Sequence, residues 1–285
     1  MKDNNIDMNN NTTIIKPRSG WEMINWQELI EYKGLFYFLI KRDVLALYKQ
    51  TVLGLTWAII RPIFSMIIFS IIFGGLADIP SDGIPYPIFS YTALIPWIYF
   101  STAMTKSTNS LISGRGIFTK VYFPRLVIPL TPVFSGLVDF MISFTILIFL
   151  MFWYGIVPTL NIVWLPLLIL LMVLTTSGIG MFLSSLALQY RDIPHGIHFL
   201  SQLLMYAAPV VWPASLVAEK FGDKILLIYS LYPMVGVIEG FRSALLGKNP
   251  MPWNLILMGS FTSVIFFIIS AYYFKRKEAI FADIA

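Results

Sequence analysis

Between Arg125 and Arg191 the chain runs for 65 residues, positions 126–190, with a single charged side chain, Asp139. A helix crosses the hydrocarbon core of a bilayer in about 20 apolar residues. The run is therefore too long for one crossing and fits two, divided at 155–161 (GIVPTLN), where turn-forming residues gather. Composition agrees: 57% of residues are hydrophobic, 12% are charged and the mean hydropathy is +0.75, whereas soluble domains carry about 25% charged residues. A water-soluble fold is excluded, and the chain reads as an all-α integral membrane protein.

Counting charge-poor windows along the rest of the sequence predicts six transmembrane helices, at 52–77, 88–105, 126–154, 162–188, 193–218 and 252–274. Pro62 is expected to bend the first and Pro96 to interrupt the second. Between the fifth and sixth, the uncharged stretch from Ile225 to Ile238 is short for a crossing and contains Pro233. The segment 225–246 is thus expected to be re-entrant or to form short helices. Residues 51–274 make one transmembrane domain, flanked by a polar, Asn-rich start over 1–25 that reads as disordered and by a tail over 275–285. The start has no apolar core of the kind a signal peptide needs.

Lys and Arg set the orientation. With Arg61 counted at the inner end of the first span, 16 of the 20 fall on the side that holds both termini, and only Lys220, Lys224, Arg242 and Lys248 fall on the other. Both termini are expected in the cytoplasm. The net charge of +5 then reflects topology, and no nucleic-acid partner is implied. Residues 26–50 carry Trp26, Leu29, Ile30, Phe36, Tyr37, Ile40, Val44, Leu47 and Tyr48 near one helical stripe, with Glu28, Glu31, Lys41, Arg42 and Asp43 off it. This predicts an amphipathic helix, either in the plane of the cytoplasmic leaflet or packed on the bundle.

No cysteine is present, which excludes disulfides, thiolate metal sites and a thiol nucleophile. His195 and His198 share a helical face but lack a third ligand nearby, so they read as interface residues and not as a metal site. Asp139 is the acidic residue deepest in a predicted span, which makes it a functional candidate by default. The two readings are proton coupling and a structural carboxylate held by Ser135, Ser143 or an Arg of a neighbouring helix. Glu239 and Arg242, three apart, either brace an outer gate or form a surface ion pair.

Five motifs in order resemble a known family. They are Lys41, Arg42 and Asp43 followed by 48–54 (YKQTVLG) and 57–62 (WAIIRP); 120–125 (KVYFPR); 190–192 (YRD); Pro233 with Glu239, Gly240, Phe241 and Arg242; and Phe274, Lys275 and Arg276 with Glu278, Phe281, Ala282 and Asp283. From about Trp26 onward the chain resembles the membrane subunit of ABC-2-type exporters of polysaccharide, of the O-antigen, capsule or teichoic acid kind.

The resemblance implies a homodimer in the bacterial plasma membrane, two plus two with a cytoplasmic ABC ATPase, passing a lipid-linked glycan. It implies no enzymatic activity and no cofactor in this chain, with ATP and Mg held by the partner. The sequence agrees in lacking the phosphate-binding G-x-x-x-x-G-K-[ST] pattern; Gly240, Gly247, Lys248 and Asn249 have the wrong spacing and no hydroxyl. By the same resemblance the segment 107–122 is expected to form a short coupling helix on the ATPase. Ser107, Leu111, Arg115, Phe118, Lys120, Arg125, Arg191 and Asp192 are its candidate docking residues. A glycan pathway needs flat apolar faces, because sugar rings stack on aromatic side chains. Tyr91, Trp97 and Tyr99 on the second span and Tyr206 and Trp212 on the fifth are the candidates, although aromatic residues also collect at membrane interfaces for other reasons. A secondary transporter or channel coupled through Asp139 is the competing function, and a membrane transferase a more distant one that would need clustered acids or a catalytic His.

Overall fold

The computed structural model describes residues 26–49, 54, 56–118, 122–278 and 281, and these are mostly helical with no strand among them. The helices are α1 (Trp26–Glu31), α2 (Lys33–Tyr48), α3 (Thr56–Phe69), α4 (Tyr86–Phe118), α5 (Val127–Trp153), α6 (Leu165–Gln189), α7 (Asp192–Ala207), α8 (Ala214–Phe221), α9 (Asp223–Tyr229), α10 (Pro233–Leu246) and α11 (Trp253–Glu278). A π-helical segment, Ser70–Leu76, continues α3, and a 3-10 turn, Leu160–Trp164, leads into α6.

Four segments are long and apolar enough to cross a bilayer alone: Trp57–Leu76, Val127–Trp153, Leu160–Gln189 and Trp253–Glu278. Counting α9 and α10, which meet at 107°, as one broken crossing makes five. The expected second span is the centre of α4, whose 33 residues extend about 50 Å at 1.5 Å per residue. α4 is too rich in Ser and Thr to pass on hydropathy, but it packs against α3, α5, α6 and α10, and Ser90, Thr92, Ser107 and Thr108 are buried there. The expected coupling helix is not a separate element but the last third of α4.

The expected fifth span, 193–218, is interrupted. α7 has 16 residues, about 24 Å of helix against a hydrocarbon core of about 30 Å. It ends at Ala207, just before Pro209 and Pro213, which cannot donate ladder hydrogen bonds, and the chain turns before α8. The segment 225–246 likewise divides into α9 and α10.

Proline also shapes α3. Pro62 has no N–H for the carbonyl of Ala58, four residues back. The Ser143 hydroxyl of α5 donates to that carbonyl instead, at 3.0 Å. α10 crosses α11 at a pair of glycines: a Cβ on Gly236 would lie 2.6 Å from the Leu255 carbonyl oxygen, and one on Gly259 3.1 Å from Pro233 Cα. Larger residues would hold these backbones apart.

α2 packs on α5, with Phe36 edge-to-face on Phe134 at 5.3 Å and Leu39 buried. Its other face exposes Tyr37, Phe38 and Leu45 beside Lys41 and Arg42. The helix thus has a seat on the bundle and an outward apolar face.

Candidate functional site

Three regions gather the polar and aromatic residues singled out in the sequence. The first surrounds Arg242. Its Nη1 lies 2.8 Å from Glu239 Oε1, and the two side chains are only 5% and 12% exposed. Arg242 Nη2 donates to the Val210 carbonyl at 3.0 Å and Nη1 to that of Trp212 at 3.4 Å. Glu239 accepts from the Ala214 N–H at 2.9 Å, and the Arg242 guanidinium lies 3.6 Å from the Phe89 ring centroid. The Tyr86 hydroxyl donates to the Val211 carbonyl at 2.7 Å. Gly74 makes room for that ring, since a Cβ there would meet it. The pair read as either an outer-gate brace or a surface ion pair is thus not on the surface; it is a buried staple that fixes the turn between α7 and α8 to α4 and α10. Asp82 extends it by accepting from Ser215 and from Asn249.

Beside the staple, the end of α7 and helices α8 and α9 line an open aromatic cleft of about 700 Å³ whose walls include Tyr206, Trp212, Phe221, Tyr229 and Tyr232, together with Lys220. Its volume falls within the range of about 300–1,000 Å³ common for ligand sites. Tyr206 and Trp212, predicted from sequence, come together here. Tyr91, Trp97 and Tyr99, predicted with them, do not. All three are buried, and the Tyr91 and Tyr99 hydroxyls donate to the Ser143 and Val133 carbonyls of α5 at 3.2 and 2.9 Å. Tyr91 and Tyr99 lace α4 to α5, Trp97 packs on Phe100 of its own helix, and all three are corrected from pathway to packing residues.

The third region is the end where α4, α5, α6 and α11 meet. Leu111 is buried with Phe123, Met181, Phe274 and Phe281, and the buried Ser107 hydroxyl donates to the Pro129 carbonyl at 2.6 Å. Both are internal, so neither presents a side chain for docking. Arg125 donates to the Glu278 carbonyl, and Glu278 pairs with Lys275 at 2.6 Å, which ties the α4–α5 turn to the end of α11. Arg115, Arg191 and Asp192 are exposed. Phe118 closes α4, and Lys120 lies outside the described residues.

Asp139 accepts from the Tyr48 hydroxyl at the end of α2. Ser135 and Ser143, its expected partners, are turned to the Pro132 and Ala58 carbonyls. The sequence reading missed Tyr48, Tyr86, Asp82 and Phe89. The first two each reach a distant backbone or side chain with a phenol, a contact no local pattern announces. His195 and His198 are exposed on α7, and among the described residues no group of three His, Asp or Glu side chains is placed to hold a metal.

The family model described as ABC-2 type transporter matches residues 34–246, from α2 through α10. The chain belongs to the ABC-2 type transporter family. Among curated relatives of this ABC-2 chain, the O-antigen export system permease protein RfbA of Myxococcus xanthus is 28% identical over 255 residues, 88% of this chain and 96% of that protein. The RfbA permease of Klebsiella pneumoniae is also 28% identical, over 251 residues, 88% and 94% of the two chains. The polysialic acid transport protein KpsM of Escherichia coli is 25% identical over 268 residues, 92% and 98%. The ABC-2 match takes in both the Arg242 staple and the aromatic cleft, and the relatives span nearly their full lengths.

Proposed function

We propose that this ABC-2 chain is the membrane subunit of an ATP-driven exporter that moves a lipid-linked polysaccharide from the cytoplasmic side across the plasma membrane. It acts as a homodimer with two copies of a separate ABC ATPase, which holds ATP and Mg; this chain itself binds neither. The observation that carries the reading is near-full-length similarity to permeases named for O-antigen export and polysialic acid transport. The aromatic cleft supports it, since Tyr206 and Trp212 offer the flat faces on which sugar rings stack. Arg115, Arg191 and Asp192 are exposed on the Lys/Arg-rich side and supply the charged contacts for the ATPase. Asp139 is engaged by Tyr48, and nothing about it favours the ion-coupled alternative.

Two experiments test this. Surface glycan measured after replacing Tyr206 and Trp212 together by Ala should fall about tenfold, the equivalent of about 1.4 kcal/mol of lost binding; unchanged export removes the cleft from the pathway. Arg115→Glu should weaken capture of the ATPase by the tagged chain while leaving its membrane level unchanged. Full capture would place the docking surface elsewhere.

A further inference from the structure

The aromatic cleft carries one charge. Lys220 is the only charged residue among those that line it, and the acids nearest to it in sequence, Glu219 and Asp223, are not part of the lining. Helical register explains this: Leu216, Val217 and Lys220 fall on one face of α8, and Glu219 falls off it. Among the described residues Lys220 forms no ion pair. Its ammonium group is exposed and brings three hydrogen-bond donors to the cleft.

Other polar groups of the wall are unpartnered too. The Tyr229 and Tyr232 hydroxyls are buried and make no hydrogen bond; the Trp212 indole stands near the first. Buried hydroxyls are nearly always bonded, so two orphans behind one open cleft mark a wall that is not completed within this chain. The approach to the cleft holds no acid either. From Ile193 to Ala218 neither Asp nor Glu occurs. Along α7 the exposed His195, His198, Gln202 and Tyr206, three or four residues apart, form a polar stripe that ends at the cleft.

We infer that the cleft receives an acidic sugar residue, one whose ring carries a carboxylate, with the ring against Tyr206 and Trp212 and the carboxylate on Lys220. Aromatic walls select a ring with a flat C–H face, which a simple anion lacks. An ammonium group with no carboxylate beside it in the cleft selects an anion through a charge-assisted hydrogen bond, which a neutral sugar cannot complete. The inference rests on the proposed export function and narrows it: Lys220 is a specificity residue for the glycan and takes no part in energy coupling.

The test is a saturation-transfer NMR titration of the intact complex in nanodiscs with three soluble probes. These are a galacturonic acid trisaccharide, the galactose trisaccharide of the same linkage, and a glycerol phosphate trimer, which has charge without a ring. Wild type should bind the acidic trisaccharide about tenfold more tightly than the neutral one, the equivalent of about 1.4 kcal/mol. Lys220→Gln should erase that preference and Lys220→Arg should keep it. Lys224→Gln, at the start of α9 and outside the lining, should leave it unchanged, which separates a contact from a general positive potential. Equal binding of the two sugars by wild type, a preference that survives Lys220→Gln, or one that is lost in Lys224→Gln overturns the inference. Binding of the glycerol phosphate trimer as tight as that of the acidic sugar, or no binding of any probe, overturns it as well. Failure of the preference with both sugars still bound leaves the export reading standing, whereas a purified complex that holds no ATPase sinks the export reading whatever the preference.

Discussion

The chain holds charge in two places and treats it differently. At Arg242 the guanidinium is held by Glu239, by two carbonyls and by the face of Phe89. The exposed Arg61 and half-buried Lys106 share a cavity with the Asp139 carboxylate and form no ion pair among the described residues. A charge whose two terminal nitrogens are held by fixed acceptors, Nε alone being unpartnered, organises backbone, here the interrupted turn at 208–213. Lys106 and Arg61 instead face an open cavity, where a nearby carboxylate and solvent take the place of fixed acceptors.

That contrast is open to direct attack. Arg242→Met leaves Glu239 buried without its partner, and removal of one member of a buried pair costs about 3–5 kcal/mol. Thermal unfolding in detergent should show a large loss for this variant, with most of it recovered in the Glu239→Leu, Arg242→Met double variant. No recovery would mean that the guanidinium's carbonyl bonds, and not the ion pair, hold the turn.

A smaller effect is expected where the inner cavity borders a satisfied polar group. Ser143→Ala strips the donor from the Ala58 carbonyl that Pro62 leaves open, and interhelical hydrogen bonds in membranes average about 0.6 kcal/mol. The expected result is a slight but measurable fall in stability, which Pro62→Ala in the same chain should reverse by restoring the helical N–H. The smallest effect belongs to Lys106→Met. In lipid-free detergent this variant should be as stable as wild type or slightly more so, because it removes an unpaired cation from a half-buried site. A loss comparable to that of Arg242→Met would erase the distinction between the two regions.

Several of these features could be read in the sequence and others could not. The 126–190 run announced α5 and α6, because a gap in charge is a property of the chain alone. α4 was partly hidden: its interior is polar enough that its place at the centre of the bundle, not its hydropathy, makes it viable within a membrane. The same burial undid the reading of Tyr91, Trp97 and Tyr99. An aromatic stripe looks alike in sequence whether it faces sugar or seals a seam between helices, and only the α5 carbonyls that accept from Tyr91 and Tyr99 decide it. Glu239 and Arg242 were visible as an i, i+3 pair, yet their depth depends on Phe89 and the 208–213 turn, which are distant in sequence. Tyr48 and Asp139 lie 91 positions apart, and Arg61 and Lys106 on different helices, beyond the reach of any local pattern.

The most direct test of the export account is what accompanies the intact chain. We would tag it in its native cell, extract the membrane gently and determine the composition and stoichiometry of the purified complex by mass spectrometry. The account predicts two copies of this chain with two copies of an ATPase bearing a phosphate-binding loop. Recovery of the chain alone, or with a glycosyltransferase and no ATPase, would contradict it.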